Sequence, residues 1–489
     1  MHKINEIKIL VLFIFLCMFE TQIGYSQFIP WYRVWNSEGR DSEGKIVVQT
    51  YDSGYAILSQ VSLYSVGNVC YQLVKYDNAG NFLFATLIAD TVDTYRQLYE
   101  FKQTSDSGFI FAGGSHGPLL IRTDKYGNVK WLKKYTNFSS YSEFYNVNQT
   151  NDYGFISCGY NLISSPPGQK AIIVKTDSLG NIQWIRQFND SLMNAFGSVI
   201  QDSLSNYYVS GGIYNSSSNP WGIIKKLDSS GNQIWNTVYS PNTYGSYGSY
   251  ILYSGSNDII IAGGEKYSFH PKIAKLDTSG NVKWVKNYTF PEFQYACLDK
   301  CNNIVICGDY APGGYYPTIG LLKIDTSGNV KDSTTFQYSG YDAIYPNCIN
   351  TTYDKGFILS GSVGTGDSLI ILYSTTLIIK TDSAFNLPII TIIRNEQNQT
   401  TNELILKQNY PNPFNSFTII KFSIPDDESI FINIYDVLGR TVFRNNQNVK
   451  SGMNEIRLDF NSIHLSSGIY YFTLKTKREF KTIKLLYLK

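Results

Sequence analysis

The sequence predicts an all-β protein, a seven-bladed β-propeller followed by a small immunoglobulin-like β-sandwich. Seven copies of a two-hairpin unit, each about 50 residues long, predict the propeller. A shorter stretch of alternating strands, with turn glycines at Gly439, Gly452 and Gly468, predicts the sandwich. The composition agrees, because 15% aromatic and 16% charged residues favour sheets joined by turns over disorder.

Residues 1–26 have the pattern of a secretory signal peptide. Lys3 and Lys8 precede an apolar run over residues 9–19, and small residues up to Ser26 precede a cleavage point before Gln27. We therefore expect Sec export to the periplasm and a mature chain that begins at Gln27. No later stretch reaches 18 apolar residues, so no membrane span is predicted.

Six cysteines remain once Cys17 leaves with the signal peptide, and the mature chain is expected in an oxidising compartment. Cys158 and Cys307 occupy matching strand positions, which favours buried thiols. Cys297 and Cys301 are close enough in sequence for a local disulfide, and the pairing of the six stays open. The absence of a nearby His makes this Cys-x-x-x-Cys weak evidence for a metal.

The second hairpin of each copy has a turn of the form Asp-x-x-Gly-Asn between two apolar, alternating segments. The Asp side chain can accept hydrogen bonds from backbone N–H groups of the turn, and the Gly can take the left-handed conformation. The seven Asp residues are Asp77, Asp124, Asp177, Asp228, Asp277, Asp325 and Asp382.

The first hairpin of each copy is predicted to turn at a residue that tolerates positive φ. The seven occupants of this position are Gly54, Gly108, Gly154, Asn206, Asp258, Asn303 and Gly356. Two hairpins give the four strands of a propeller blade, so residues 27–394 are predicted to form the propeller. Residues 28–35 resemble a further outer strand, which is a candidate to pair with the last blade and close the ring.

Four copies place a Trp seven residues after the turn Asp, at Trp131, Trp184, Trp235 and Trp284. A large ring at a fixed place in the outer strand predicts packing between neighbouring blades. The last two copies lack this ring, so we expect looser packing between their blades.

The sequence contains no recognisable catalytic motif, and no enzyme activity, cofactor or metal is predicted. No G-x-S-x-G, H-E-x-x-H or P-loop pattern occurs. One Asp per turn supplies too few oxygens for a calcium loop of the EF-hand kind. A net charge of +2 predicts no nucleic-acid partner. The alternative is a propeller hydrolase or quinoprotein-like enzyme with its site in the central channel, where scattered carboxylates could converge.

Variable loops on one face of a rigid propeller predict a binding or adhesion module. The short, uniform turns emerge on one face, and the longer connections emerge on the other, which we call the long-loop face. These connections combine Tyr with Ser, Gly and Asn, an adaptable contact surface for a glycan or a protein. A spacer or coat protein without a dedicated ligand is the alternative. The candidate binding residues are Tyr160, Tyr214, Trp221, Tyr244, Tyr247, Tyr310, Tyr315, Tyr316, Tyr338 and Tyr341.

Residues 395–404 are polar and predict a linker. Residues 405–489 then carry an Asn-Tyr-Pro-Asn-Pro-Phe-Asn start, a Tyr-Asp-x-x-Gly-Arg turn, a Ser-Ser-Gly-Ile-Tyr-Tyr strand and a basic end. This region resembles the type A C-terminal sorting domain of the type IX (Por) secretion system of Bacteroidota. The matching motif residues are Tyr410, Pro411, Asn412, Pro413, Phe414, Asn415, Gly439, Arg440 and Gly468.

The resemblance implies that the type IX secretion machinery recognises the folded tail at the outer membrane. It further implies that the tail is removed on secretion or anchoring, and that the mature protein is secreted or lies on the outer cell surface. The repeats resemble the Gly- and Trp-marked propellers that often precede such tails, and this part of the resemblance implies no activity.

Overall fold

The computed structural model describes residues 31–35, 41–63, 68–89, 97–114, 116–164, 167–189, 193–214, 220–241, 250–253, 258–264, 270–311, 318–336, 343–367, 370–386, 390–394, 403–409, 412–415, 417–460 and 465–488. Every regular element in these ranges is a β-strand, as the sequence predicts. Within the same ranges no helix has the length and apolarity needed to cross a membrane. The chain divides into two compact units, one of Tyr32–Phe385 and one that includes Asn386–Lys489.

The first unit is built from four-stranded antiparallel groups of strands, called sheets A to G in chain order, and strand β1 (Trp31–Trp35) belongs to sheet G. Sheets C and D are joined by one parallel pairing, between Gln169 and Met193. Sheets A and B contain β2 (Ser42–Gln49), β3 (Tyr55–Leu63), β4 (Asn68–Tyr76) and β5 (Phe82–Ala89), then β6 (Gln97–Gln103), β7 (Phe109–Gly114), β8 (Pro118–Thr123) and β9 (Val129–Lys134). Sheets C and D contain β10 (Glu143–Gln149), β11 (Phe155–Ser164), β12 (Pro167–Thr176) and β13 (Ile182–Phe188), then β14 (Met193–Gln201), β15 (Tyr207–Tyr214), β16 (Pro220–Leu227) and β17 (Gln233–Pro241).

Sheets E and F contain β18 (Tyr250–Tyr253), β19 (Asp258–Gly264), β20 (Pro271–Asp277) and β21 (Val282–Asn287), then β22 (Tyr295–Leu298), β23 (Ile304–Tyr310), β24 (Thr318–Ile324) and β25 (Val330–Phe336). Sheet G contains β26 (Ala343–Thr351), β27 (Phe357–Asp367) and β28 (Ile370–Thr381), with β1 beside β28. The first strand of each sheet lies against the first strand of the next, and β26 lies against β2. Sheets that surround an axis in this way form a β-propeller.

The Asp-x-x-Gly-Asn turns are held by the bonds that the sequence predicts. Asp177 Oδ1 accepts the N–H groups of Leu179 (2.9 Å) and Asn181 (2.7 Å), and its Oδ2 accepts the Asn181 side-chain amide at 2.8 Å. Gly180 has a φ of 75°. The same bonds recur at Asp77, Asp124, Asp228, Asp277 and Asp325. This repetition gives the short-turn face its uniform geometry.

The first-hairpin turns depart from the prediction, which placed positive φ at Gly54 and its equivalents. Positive φ occurs one residue earlier, at Ser53, Ser107, Tyr153, Ser205, Asn302 and Lys355. The glycine is needed for space, because a Cβ on Gly154 would lie 2.5 Å from Lys175 Nζ and 2.2 Å from the Thr176 carbonyl oxygen. The prediction was therefore wrong about the conformation of these glycines.

That space holds a buried cation in most of the sheets. Lys175 Nζ lies 2.8 Å from Asp152 Oδ2 and 3.0 Å from the Thr176 carbonyl oxygen that it bonds. Because the Lys lies on the third strand and the Asp in the first turn, the pair ties the two hairpins of one sheet together. Equivalent ion pairs join Lys75 to Asp52, Arg122 to Asp106, and Lys380 to Asp354. In sheets E and F the partly buried Lys275 and Lys323 pair with Asp258 and Asp299, which stand at other positions of the first turn.

The outer-strand tryptophans pack between neighbouring sheets, as predicted. A Cβ on Gly231 of sheet D would lie 2.9 Å from the Trp184 indole of sheet C. The Trp184 ring also meets Tyr207 edge-on, with 5.7 Å between ring centroids. Trp131 and Trp235 lie against the turn glycines of sheets C and E in the same way, and Trp284 lies against the apolar cluster that sheets E and F share.

Strand β1 completes sheet G and joins it to sheet A, as predicted for the segment of residues 28–35, of which residues 31–35 are described. Arg33 Nε donates to the Gly80 carbonyl in the last turn of sheet A at 2.8 Å. Arg186 of sheet C makes the equivalent bond to Gly231 of sheet D at 3.1 Å. The N-terminal strand therefore contacts the first sheet as an ordinary outer strand contacts the next sheet.

The second unit consists of two four-stranded sheets. Sheet H has the order β29 (Ile390–Arg394), β34 (Gly452–Asp459), β31 (Phe417–Ile424) and β30 (Ile405–Leu406). Sheet I has the order β33 (Thr441–Val449), β32 (Glu428–Tyr435), β35 (Gly468–Lys475) and β36 (Phe480–Tyr487). Both sheets contribute to one buried core, which includes Ile420, Phe422, Ile456, Ile432, Ile434, Phe472 and Leu474.

The boundary between the units differs from the one drawn on the sequence, which ended the propeller at residue 394 and placed a linker at residues 395–404. Strand β29, at residues 390–394, pairs with β34 of the second unit. Leu404 is fully buried in the core of that unit, and its N–H donates to Glu479 at 2.8 Å. Residues 395–402 lie outside the described residues. The apolar residues of β29 follow the last turn of the repeat directly, so the sequence assigned them to the propeller, and the polar run after them suggested a linker.

Candidate functional site

Part of the predicted binding face falls within the described residues. Tyr310 ends a second strand, Tyr160 lies in the middle of another, and Trp221 lies near the start of a third strand. For Tyr214 the backbone alone is described. Outside the described residues lie Tyr244, Tyr247, Tyr315, Tyr316, Tyr338 and Tyr341, the cleavage residues Ser26 and Gln27, and the motif residues Tyr410 and Pro411.

The three described aromatic side chains do not converge on one site, because they belong to sheets C, D and F. Trp221 is 41% exposed. Tyr310 packs edge-on against Phe290, with 4.8 Å between ring centroids. Tyr160 lies 5.5 Å from the Tyr145 ring and belongs to a cluster of tyrosines around Glu143. Each is anchored within its own part of the long-loop face.

The Glu143 cluster joins sheets B and C. The Tyr99 hydroxyl donates to Glu143 Oε2 at 2.8 Å, and the Tyr99 and Tyr145 rings meet edge-on at 5.0 Å. Burial raises the pKa of Glu143, while the hydrogen bonds from Tyr99 and Tyr160 act in the opposite direction. Protein groups thus already bond this carboxylate, which makes it a structural element of the face.

A cavity of about 250 Å³ lies on the long-loop side between sheets A, F and G. Asn347 donates its side-chain amide to Glu43 Oε1 at 2.8 Å, and Lys45 Nζ lies 2.7 Å from the other oxygen of Glu43. Ser374 Oγ donates to the Ser42 carbonyl at 3.0 Å. The walls of the cavity are formed by Glu43, Gln294, Asp309, Tyr345, Pro346, Asn347, Ser362, Gly364 and Ser374.

Asp309 brings an incompletely bonded carboxylate to this cavity. Gln294 Nε2 donates to Asp309 Oδ2 at 3.2 Å, whereas Oδ1 is buried and has no hydrogen-bond partner among the described residues. Burial raises the pKa of Asp309 to about 6, and the Gln294 bond opposes this while the negative charge of Glu292 adds to it. A buried acceptor without a donor costs about 1–3 kcal/mol. Asp309 is therefore a residue of the cavity wall whose carboxyl group is incompletely bonded by the described protein groups.

The propeller axis is filled by buried side chains from the first strands of several sheets. Asn146 Nδ2 donates to Glu100 Oε2 at 3.1 Å, and Lys102 Nζ lies 3.4 Å from the same oxygen. Tyr295 also hydrogen-bonds Glu100, and its ring lies 4.1 Å from that of Tyr250. Burial raises the pKa of Glu100. The Glu100 carboxylate is enclosed by protein groups, which suits a structural tie between sheets.

In the part of the chain that the structure describes, no group of three or more His, Cys, Asp or Glu is arranged to hold a metal ion. Cys158, Cys297, Cys301, Cys307 and Cys348 have free thiols. Cys158 and Cys307 are buried thiols, as their strand positions predict. Cys297 is buried and Cys301 is exposed, so the local disulfide that the sequence left open does not form in this structure.

The motifs of the tail meet in its core. Asn412 Oδ1 accepts the Leu486 N–H at 2.9 Å, and Phe414 exchanges backbone bonds with Leu486 and Leu488. The Phe414 ring is buried against Phe460 (4.7 Å) and Tyr487 (5.4 Å). Tyr470, from the Ser-Ser-Gly-Ile-Tyr-Tyr strand, packs on Phe460 at 5.6 Å. The separated motifs therefore act together to fix the last strand of the chain.

Residues 408–488 match the family described as the secretion system C-terminal sorting domain. The C-terminal unit is accordingly a sorting domain of the type IX (Por) secretion system, and the resemblance identified from its motifs is confirmed. Such a domain directs export to the outer surface or the medium, through the type IX machinery.

No curated protein matches the chain. The solved structures similar to it include the Dos1 propeller, with 11% identity over 72% of this chain and 95% of that one and a TM-score of 0.42. The β-propeller domain of the Trilobed protease from Pyrococcus furiosus has 10% identity over 72% and 93%, with a TM-score of 0.41. Puromycin hydrolase has 7% identity over 78% and 58%, with a TM-score of 0.46. At these values no activity follows for this chain.

Proposed function

We propose that this chain is a non-enzymatic binding protein of the outer surface, a seven-bladed propeller that the type IX system exports after Sec translocation and that binds an extracellular glycan or protein. The observation that carries the binding role is the cavity between sheets A, F and G, with the carboxyl group of Asp309 and several other polar side chains in its wall. A concave site with a few convergent polar groups is the usual form of a ligand site.

Seven blades are supported by the repeat and by the way sheet G meets sheet A. Gln49 Oε1 of sheet A accepts the Tyr353 N–H of sheet G at 2.6 Å. Gln103 and Gln149 make the equivalent bonds to Tyr51 and Ser105 between sheets A and B and between sheets B and C. The two sheets of the tail around one core support an immunoglobulin-like sandwich for the sorting domain.

The cavity walls favour a glycan as the ligand. Tyr345, Asn347, Ser362 and Ser374 supply hydroxyl and amide groups, and Asp309 supplies an acceptor that needs a donor. A saccharide offers many hydroxyl donors and acceptors on a small surface.

A second candidate, a glycoside hydrolase, is favoured by one observation. Glu43 and Asp309 are two carboxyl groups in the same cavity, and the pKa of Asp309 is raised to about 6. Glycoside hydrolysis commonly uses such a pair as acid and base or nucleophile. The binding role is preferred because Glu43 is held by Lys45 and Asn347. The hydrolase would be established instead if the wild-type protein released reducing ends from an oligosaccharide and the Glu43→Gln variant did not.

The Asp309→Asn variant is expected to be more stable than the wild type at pH 7.5 and weaker in binding. Folding raises the pKa of Asp309 from 3.8 to about 6, so the folded state binds this proton more tightly than the unfolded state does. The folded protein is therefore stabilised where the carboxyl is protonated. This stabilisation is complete below about pH 4 and is lost as the pH rises through 6. Asn removes the buried charge, which should add about 1–2 kcal/mol at pH 7.5 and little at pH 4. Chemical unfolding of both proteins at the two pH values measures this difference.

The binding half of the prediction uses immobilised neutral, amino-sugar and uronate oligosaccharides as probes. We expect the wild type to bind at least one probe and Asp309→Asn to bind it about tenfold more weakly, a loss of about 1.4 kcal/mol. The control is Asp332→Asn, since Asp332 is an exposed residue of β25. Equal loss in both variants, or no binding of any probe by the wild type, would contradict the proposed site.

The secreted chain is expected to begin at Gln27, because small residues end the apolar signal segment there. Mass spectrometry of the N-terminal peptide of extracellular protein measures this start. An extracellular chain that retains Met1 would refute Sec cleavage.

A further inference from the structure

One outer face of the sorting domain carries aromatic and basic side chains in cross-strand rows. Phe431 of β32 pairs with Lys475 of β35, which in turn pairs with Phe480 of β36. Directly paired residues of an antiparallel sheet project to the same side. A parallel row four residues along contains Tyr471 and Lys484.

Between these rows, Arg444 of β33 pairs with Asn433 and donates to its Oδ1 at 3.0 Å. Asn433 in turn pairs with Thr473, whose hydroxyl lies 2.8 Å from that of Thr482. We call this surface of sheet I the aromatic–basic face and define it by Phe431, Arg444, Tyr471, Lys475, Phe480 and Lys484.

The aromatic–basic face is exposed, whereas the opposite side of the same strands is buried. Phe431, Tyr471 and Phe480 are 43%, 40% and 67% exposed. The alternate residues Ile430, Ile432 and Ile434 are fully buried in the tail core. Large aromatic rings grouped on one open sheet face are a recognised sign of an interaction surface.

The charges of the face have one sign. Arg444, Lys475 and Lys484 lie on it, and none of the residues paired across the three rows is acidic. The acidic residue of the neighbouring turn, Asp436, is engaged elsewhere, because Arg440 Nε lies 2.6 Å from its Oδ2. A partner must therefore present acidic groups together with apolar surface that the aromatic rings can contact.

We propose that the aromatic–basic face docks the folded tail onto an acidic protein surface of the export machinery. The inference rests on the proposed export function and names the surface of the sorting domain that performs it. Aromatic residues and Arg are enriched at the centres of protein interfaces, where they supply most of the binding energy. The rings project from one face of a sheet, which suits a flat protein surface.

The test uses full-length chains in a type IX-competent host, with the fraction of protein outside the cell as the readout. One face variant combines Phe431→Ser with Phe480→Ser, and another combines Lys475→Glu with Lys484→Glu. The matched controls are Val437→Ser with Leu438→Ser, which removes exposed apolar groups from a turn, and Lys407→Glu with Lys477→Glu, which makes the same charge change at exposed positions off the face.

We expect each face variant to reduce export at least tenfold, with accumulation of folded chain in the periplasm, and each control to stay within twofold of the wild type. Melting of the purified chains shows that the variants are folded. A photoreactive residue at Thr473 should form a crosslink to a protein, and one at Lys477 should not.

Normal export of the face variants would overturn the proposal. If removal of the whole tail still blocked export in that case, the proposed function would survive and the docking face alone would be wrong. A second contrary outcome is flotation of the wild-type chain with phosphatidylglycerol vesicles that is lost in the face variants, together with no protein crosslink at Thr473. This outcome would show that the face binds an anionic lipid, and it would also overturn the proposal.

Discussion

Replacing Trp184 by Ala is expected to lower the free energy of unfolding of the propeller by about 3 kcal/mol. This value is at the lower end of the usual cost of removing a buried ring, because Trp184 is half-buried. The ring fills the space beside Gly231 of sheet D and contacts Tyr207. The Arg186 guanidinium, 5.3 Å from the ring centroid, would lose a cation–π partner as well. Urea unfolding followed by circular dichroism measures the change.

The matched control is Trp221→Ala, which removes the same side chain from sheet D. Trp221 is 41% exposed, and it lies near the long-loop end of its strand. Its loss should change the free energy of unfolding by about 0.5 kcal/mol, as for most surface substitutions. Equal destabilisation by the two substitutions would mean that the outer-strand tryptophans are not the contacts that hold neighbouring sheets together.

The repeat made the propeller predictable because each copy restates the same local chemistry. An Asp that accepts turn N–H groups and a Gly in the left-handed conformation identify a hairpin from a few residues, as at Asp177 and Gly180. The ion pair of the buried cation was not predicted from the sequence, although a Lys or Arg lies two residues before the turn Asp in every copy. Its Asp partner lies in the other hairpin, so the pair emerges when the sheet is assembled.

The cavity could not be predicted in the same way, because its residues are far apart in the sequence. Glu43, Asp309 and Asn347 come from sheets A, F and G, which meet after the ring has closed. A signal did exist in the repeat, since Asp309 follows Gly308 where the other copies have Gly, Tyr or Ser after the matching glycine. A polar residue that departs from a repeat is worth examining for this reason.

Removal of the tail is expected to abolish export while leaving the propeller folded. The deletion should cover residues 387–489, since the structure assigns β29, at residues 390–394, to the sorting domain, where it pairs with β34. A cut at Asn409 would leave that strand without its partner. The last propeller turn ends with Phe385, which packs on Phe357 at 5.1 Å and is retained.

The most direct test of this account is cell fractionation of the full-length chain and the chain lacking residues 387–489, with the oligosaccharide binding of each recovered protein as a second readout. We expect the full-length chain at the outer surface or in the medium. The truncated chain should remain in the periplasm with an unchanged melting temperature for the propeller and unchanged affinity. Truncated protein outside the cell at the wild-type yield would contradict the central claim that the tail is the export signal and the propeller the functional part.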